Sequence, residues 1–259
     1  MQHRNFGGRV VQPVQPTLSE VACLLFAEAL IPSKEIPRSG MWNNITGAWF
    51  LSQGTAANTL NNTGAQHSDA FRRIVGQWME TRDDAQDLNQ LAHVVNGQLR
   101  NFPQALTLMR RIVTTDGVYG HAKGQALMFL VQAPRTKEEQ PFLRTLLTND
   151  TVVTTVWFGN INPQQPQQHQ SLLRDVALAM LITQSGQKMK DYGYMFPPNQ
   201  PEPPANNIGY GNYAFPTDEA RAAAMVKFGF WQLKQSFKEP VPEVKKEPVP
   251  QPPTPAPGK

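Results

Sequence analysis

The chain has 259 residues, 40% of them apolar, with a net charge of +4 and a single cysteine. That length supports one sizeable core or a short row of repeats of roughly 220 residues, and one cysteine excludes an intramolecular disulfide. The charge is spread thinly, with Arg72-Arg73 and Arg110-Arg111 the only arginine pairs, so no phosphate-tracking stripe marks a nucleic-acid binder.

Residues 1–16 read as an extended N-terminal arm, because Pro13 and Pro16 restrict the residues before them to β or polyproline geometry. Thr17 and Glu20 have the spacing of a capping box, and Leu18, Val21, Ala22, Leu25 and Ala29 then form one face of a helix that ends near Pro32. Cys23 lies in the apolar run from Val21 to Phe26, where a small buried thiol is expected. Pro37 and Gly40 indicate a loop, and Ala48 to Leu60 reads as a helix interrupted by Gly54. A helix capped by Ser68 follows, with Phe71, Ile74, Val75 and Trp78 at helical spacing. Asp83 and Asp84 suit the first turn of the next, whose stripe is Leu88, Leu91, Val95 and Leu99. Pro103 suits the first position of a helix from Gln104 to Thr114.

From here the chain repeats itself. Leu108 to Asp116 recurs as Phe142 to Asp150, and Lys123 to Leu130 recurs as Arg174 to Leu181. The first pair is offset by 34 residues and the second by 51, so 17 extra residues lie between the helices of the second copy. They fall within Thr151 to Gln170, where the β-branched run Val152 to Val156 and a Gln- and Pro-rich stretch predict a protruding loop with a short extended piece. Self-similarity of this kind predicts antiparallel helix pairs stacked side by side, which make extended binding surfaces.

Asp191 to Phe215, dense in Tyr, Gly, Pro and Asn, reads as an irregular cover over the end of the stack. Thr217 caps a last helix, residues 217–237, whose apolar residues lie on several sides and predict docking against the stack. Residues 238–259 repeat Lys-Glu-Pro-Val-Pro and read as a disordered, Pro-rich tail favouring polyproline II, reaching on the order of 60 to 70 Å when extended. The domain plan is therefore an arm (1–16), one α-helical domain (17–237, with the insertion at 151–170 and the aromatic segment at 191–216) and the tail.

The leucine-rich Phe142 to Leu147, the Asn149-Asp150 turn and the helix opening at Leu173-Arg174-Asp175-Val176 resemble a HEAT repeat over residues 103–186. The resemblance implies an all-α fold, a short right-handed solenoid of the HEAT or armadillo type, and a scaffold or protein-binding role. It also implies that Arg174, with Lys123 as its weaker counterpart, supports a polar ladder. The first copy departs from the pattern by carrying Gly120 and Gly124, and the second by its insertion.

No catalytic constellation is legible, and no cofactor or metal motif: the five histidines are dispersed without H-x-x-x-H spacing, and the glycine clusters lack a strand–turn–helix setting. The expected function is noncatalytic binding of another protein, with Trp157, Phe158, Tyr192, Tyr194, Tyr210 and Tyr213 as candidate contacts, since rigid rings with polar tips suit recognition surfaces. A cell-envelope structural component using the tail as a spacer is the alternative, and an all-helical enzyme the third reading. No run reaches the roughly 18 apolar residues of a membrane span, and Met1 to Gln15 holds no signal-peptide core. The chain as written is expected to be soluble, in the cytoplasm or, with an export signal upstream, in the envelope. Oligomeric state is not encoded in any visible motif.

Overall fold

The computed structural model describes residues 15–32, 35, 47–132, 139–158, 167–196, 202 and 213–236. The N-terminal arm to residue 14, the tail from residue 237, and most of 197–212, Tyr210 included, lie outside the described residues.

The described part is mostly helical, as expected from the periodicity. α1 (Leu18–Leu30) opens on the predicted capping box: the Thr17 N–H donates to Glu20 Oε2 at 2.7 Å and the Glu20 N–H to Thr17 Oγ1 at 3.3 Å. Val21 and Leu25 are buried at 2% and 0%, but Cys23 is exposed. Cys23 is two residues from each of them, about 200° around the helix, so the apolar run wraps both faces. α2 (Gly47–Leu51) and α3 (Gly54–Asn61) are separated where Gly54 takes a positive φ of 45°, the interruption expected from sequence.

α4 (Ser68–Thr81) buries Phe71, Val75 and Trp78, but its start differs from the expectation. His67, in the left-handed conformation, precedes the helix, and Ser68 Oγ donates to the Thr59 carbonyl at 3.1 Å instead of capping. α5 (Ala85–Gly97) is capped by Asp84, whose carboxylate accepts the Gln86 N–H at 2.9 Å, and Leu88, Leu91, Val95 and Leu99 are fully buried.

α6 (Ala105–Thr114) and α7 (Gly120–Gln132) carry the first of the two similar sequence stretches, and α8 (Gln140–Thr145) and α9 (Leu173–Gln184) the second. α7 packs against α5, α6 and α9, while α8 packs against α9. Ala126, Ala177 and Ala179 are fully buried, which permits close helix approach, and Leu127, Leu130 and Leu178 fill the space between. α9 is apolar all round and almost wholly buried, as befits a helix enclosed by its neighbours.

The described segments of the insertion are strands. β1 (Val152–Phe158) and β2 (Gln167–Leu172) pair antiparallel, Val156 opposite His169, with an irregularity between Val152 and Thr154. The β-branched run supplies strand propensity, and β2 feeds directly into α9, Leu173 N–H donating to the Thr151 carbonyl at 2.8 Å. β1 lies against α7, and this explains Gly120: a Cβ there would sit 1.8 Å from the Val152 carbonyl oxygen. The glycine that departs from the repeat pattern is where the backbones touch.

After a 3-10 turn (Met189–Tyr192), α10 (Asp218–Ser236) packs against α9 and that turn. One contiguous apolar core runs from Val21 to Phe228. Among the described residues no helix is long and apolar enough to cross a membrane.

Candidate protein-binding surface

α10 is positioned by an ion pair and by rings. Thr217 Oγ1 accepts the Ala220 N–H at 3.2 Å, fixing the first turn. One turn on, Arg221 is 7% exposed and donates from Nε to Asp175 Oδ1 at 2.8 Å, while its Nη1 pairs with Asp218. Asp175 is fully buried: its other oxygen accepts the Leu172 N–H at 3.0 Å, and the Tyr194 hydroxyl donates to its carbonyl at 2.6 Å. Burial pushes the Asp175 carboxyl above its ordinary value, and the Arg221 guanidinium opposes the shift. Further along α10, Ala224 and Phe228 are buried at 2% each, and Phe228 stacks on Trp231 at 5.7 Å and meets Tyr192 edge-on at 6.2 Å.

α10 docks against the stack as expected, through this one face, although its apolar residues lie on several sides. Val226, Phe230 and Leu233 point away and remain 58%, 63% and 52% exposed. Their spacing of four and three residues makes a single stripe. Between this stripe and the 3-10 turn lies an open groove of about 630 Å³ lined by Tyr192, Val226, Lys227, Phe230, Trp231 and Lys234. Lys227 Nζ donates to the Asp191 carbonyl and lies 5.0 Å above the Tyr192 ring, which places a cation at the groove rim. The groove thus offers apolar area and aromatic edges under positive charge, with no nucleophile–base pair among its lining residues.

The aromatic residues singled out from sequence divide. Tyr192 lines this groove although its ring is largely buried, its hydroxyl donating to Gln187 Oε1; burial raises its pKa. Tyr194 and Tyr213 are buried at 5% and 0% and meet edge-on at 6.2 Å, so they pack inside and offer no face to a partner. Trp157 and Phe158 sit at the distal end of β1, opposite Gln168 and Gln167; their side chains lie outside the described ones, as does Tyr210. Val226, Phe230 and Leu233 escaped the sequence reading because apolar residues all round a helix do not reveal which face is covered.

The ladder residues differ between the two copies. Arg174 Nη1 pairs with Asp150 at 2.7 Å, and Lys123, 4% exposed, feels the charge of Asp116, the equivalent aspartate. Burial lowers the Lys123 pKa and Asp116 opposes the shift. The Arg174 ion pair runs from α9 to Asp150, just after α8.

Two features were invisible in sequence because their partners are far apart in the chain. Glu28, 6% exposed, accepts the Gly47 N–H at 3.0 Å and Trp78 Nε1–H at 2.8 Å, while the fully buried Arg82 donates to the Glu28 carbonyl and pairs with Asp87 at 3.4 Å. Burial raises the Glu28 pKa, opposed by those N–H donors. The rings of His93 and His121 come within 5.6 Å, and burial followed by the charge of His93 lowers the His121 pKa. Among the described residues no three His, Cys, Asp or Glu side chains are grouped to hold a metal. No family model, no curated protein and no solved structure matches this chain.

Proposed function

We propose that the chain is a noncatalytic helical scaffold, a short right-handed solenoid of the HEAT or armadillo type, that binds another protein through the outward face of α10. The observation carrying this reading is the exposed stripe of Val226, Phe230 and Leu233 beside a groove of about 630 Å³. Three large apolar side chains in line on one helix have no reason to face water unless something covers them. Aromatic edges and a cationic rim suit a polypeptide more than a small apolar ligand, because an open groove buries too little of the latter. The repeat reading is supported by the α7–α9 contact and by the Arg174–Asp150 ion pair, with Asp116 near enough to Lys123 for its charge to be felt.

The test is affinity capture from the native organism with the wild-type chain and a Val226→Asp/Phe230→Asp variant as baits. Because both positions are exposed, the variant should keep its unfolding midpoint and lose its specific partners. Equal recovery of the same proteins by both baits refutes the assignment.

A further inference from the structure

His93 lies on α5 and His121 at the second residue of α7, and the packing of α5 on α7 brings their rings to a centroid distance of 5.6 Å with an interplanar angle of 37°. Two features hold the helices at this spacing. Ala92 and Ala122, the residues beside the two histidines, are 0% and 3% exposed and let the helices approach closely. One turn before His93, Asn89 Oδ1 accepts the Tyr119 N–H at 2.7 Å, which ties the start of α7 to α5. Both histidines are exposed, so the pair does not serve to fill the core.

The chemistry around the rings suits a metal ion. Burial, then the charge of His93, lowers the His121 pKa, so this imidazole offers a lone pair at neutral pH. Gln125, one turn further along α7, donates from its amide to His121 Nε2 at 3.2 Å, which makes that nitrogen an acceptor. Its other amide atom, Oε1, is buried and meets no donor among the described residues. The spacing also fits. Zinc lies about 2.0 to 2.1 Å from an imidazole nitrogen, and therefore about 3.2 Å from the ring centroid. Two such arms ending 5.6 Å apart meet at about 120°, and closing the rings by about 0.4 Å gives the tetrahedral angle.

We propose that His93 and His121 bind a divalent transition-metal ion of the imidazole-preferring class, zinc or copper(II), across α5 and α7. Each ring supplies one nitrogen and water fills the remaining positions, with the Gln125 amide turned so that Oε1 accepts from a metal-bound water. The ion clips together two helices that are not consecutive in the chain. It therefore binds the folded state in preference to the unfolded one and stabilises it. The site shares no residue with the α10 face, so its failure leaves that face unaffected.

Isothermal titration calorimetry of the full chain, free of any histidine tag and stripped with chelator, tests this with zinc and, separately, with copper(II). Magnesium is the control, since a hard cation has little use for imidazole. Wild type should take up one equivalent of zinc or copper(II) and no magnesium. His93→Gln and His121→Gln, shown by circular dichroism to fold like wild type, should each weaken zinc binding at least about tenfold. His67→Asn, at the start of α4, should bind like wild type. His93→Cys places a thiolate ligand on the same turn and should restore what His93→Gln loses. Zinc should raise the melting midpoint of wild type and of neither glutamine variant. A wild type that takes up no zinc at about 1 mM free ion overturns the proposal. So does zinc binding that either glutamine variant leaves unchanged, the mark of an adventitious surface ion.

Discussion

Replacing Gly120 by alanine sets two effects of opposite sign against each other. Alanine is favoured over glycine in a helix by at most about 1 kcal/mol, and less at the first residue, where Gly120 stands. Against this, the new Cβ would lie 1.8 Å from the Val152 carbonyl oxygen and 2.7 Å from its carbon. Reaching ordinary contact at 3.4 Å requires the start of α7 and β1 to part by about 1.6 Å, and both obstacles are backbone, which no rotamer change can clear. Overpacking of this kind costs about 1 to 3 kcal/mol, so the clash wins. For a domain of this size each kcal/mol lowers the midpoint by about 2 to 4 °C, giving an expected fall of roughly 2 to 12 °C for Gly120→Ala. Gly229→Ala is the control: it lies inside α10, a Cβ there meets nothing within 4 Å, and its midpoint should hold or rise. Differential scanning calorimetry of both variants reads the contrast. If Gly120→Ala melts at or above wild type, the close passage of β1 over α7 is wrong.

Leu178, fully buried in α9, should cost about 2 to 5 kcal/mol when cut to alanine, and urea denaturation giving an unchanged midpoint would place it outside the core. Glu28 yields a pH-dependent prediction. Burial raises its native pKa, so the native state holds the proton more tightly than the unfolded chain. Stability from this group is fully present below the unfolded carboxylate value and is lost as pH rises through the native one. Glu28→Gln cannot ionise and turns one N–H donor toward another, so it should be the less stable protein in acid and should narrow that gap as pH rises from about 4 to about 7. Denaturant melts showing a constant or widening gap would contradict the raised pKa.

Local chemistry made part of this fold readable. The Thr17–Glu20 box, the break at Gly54 and the buried stripe from Leu88 to Leu99 each depend on residues within a few positions of one another. Two local expectations failed for a shared reason, that sequence neighbours do not reveal tertiary partners. Ser68 gave its hydroxyl to Thr59 rather than to its own helix, and Cys23 sat in an apolar run that covered both sides of α1. The insertion was located by offset arithmetic, but its pairing depends on a polar strand, Gln167 to Ser171, that carries little strand signal of its own. The candidate site was the least legible. Tyr192 was found by its chemistry, whereas the stripe on α10 becomes visible only once Ala224 and Phe228 are seen to take the opposite face.

The central claim is that the outward face of α10 is covered by polypeptide in the cell. A photoreactive phenylalanine analogue at position 230, 63% exposed in the isolated chain, reports this directly when irradiated in the native organism and read by mass spectrometry. Discrete protein adducts are predicted. Irradiation that yields no adduct beyond that of the same analogue at exposed Tyr119, just before α7, would contradict the account.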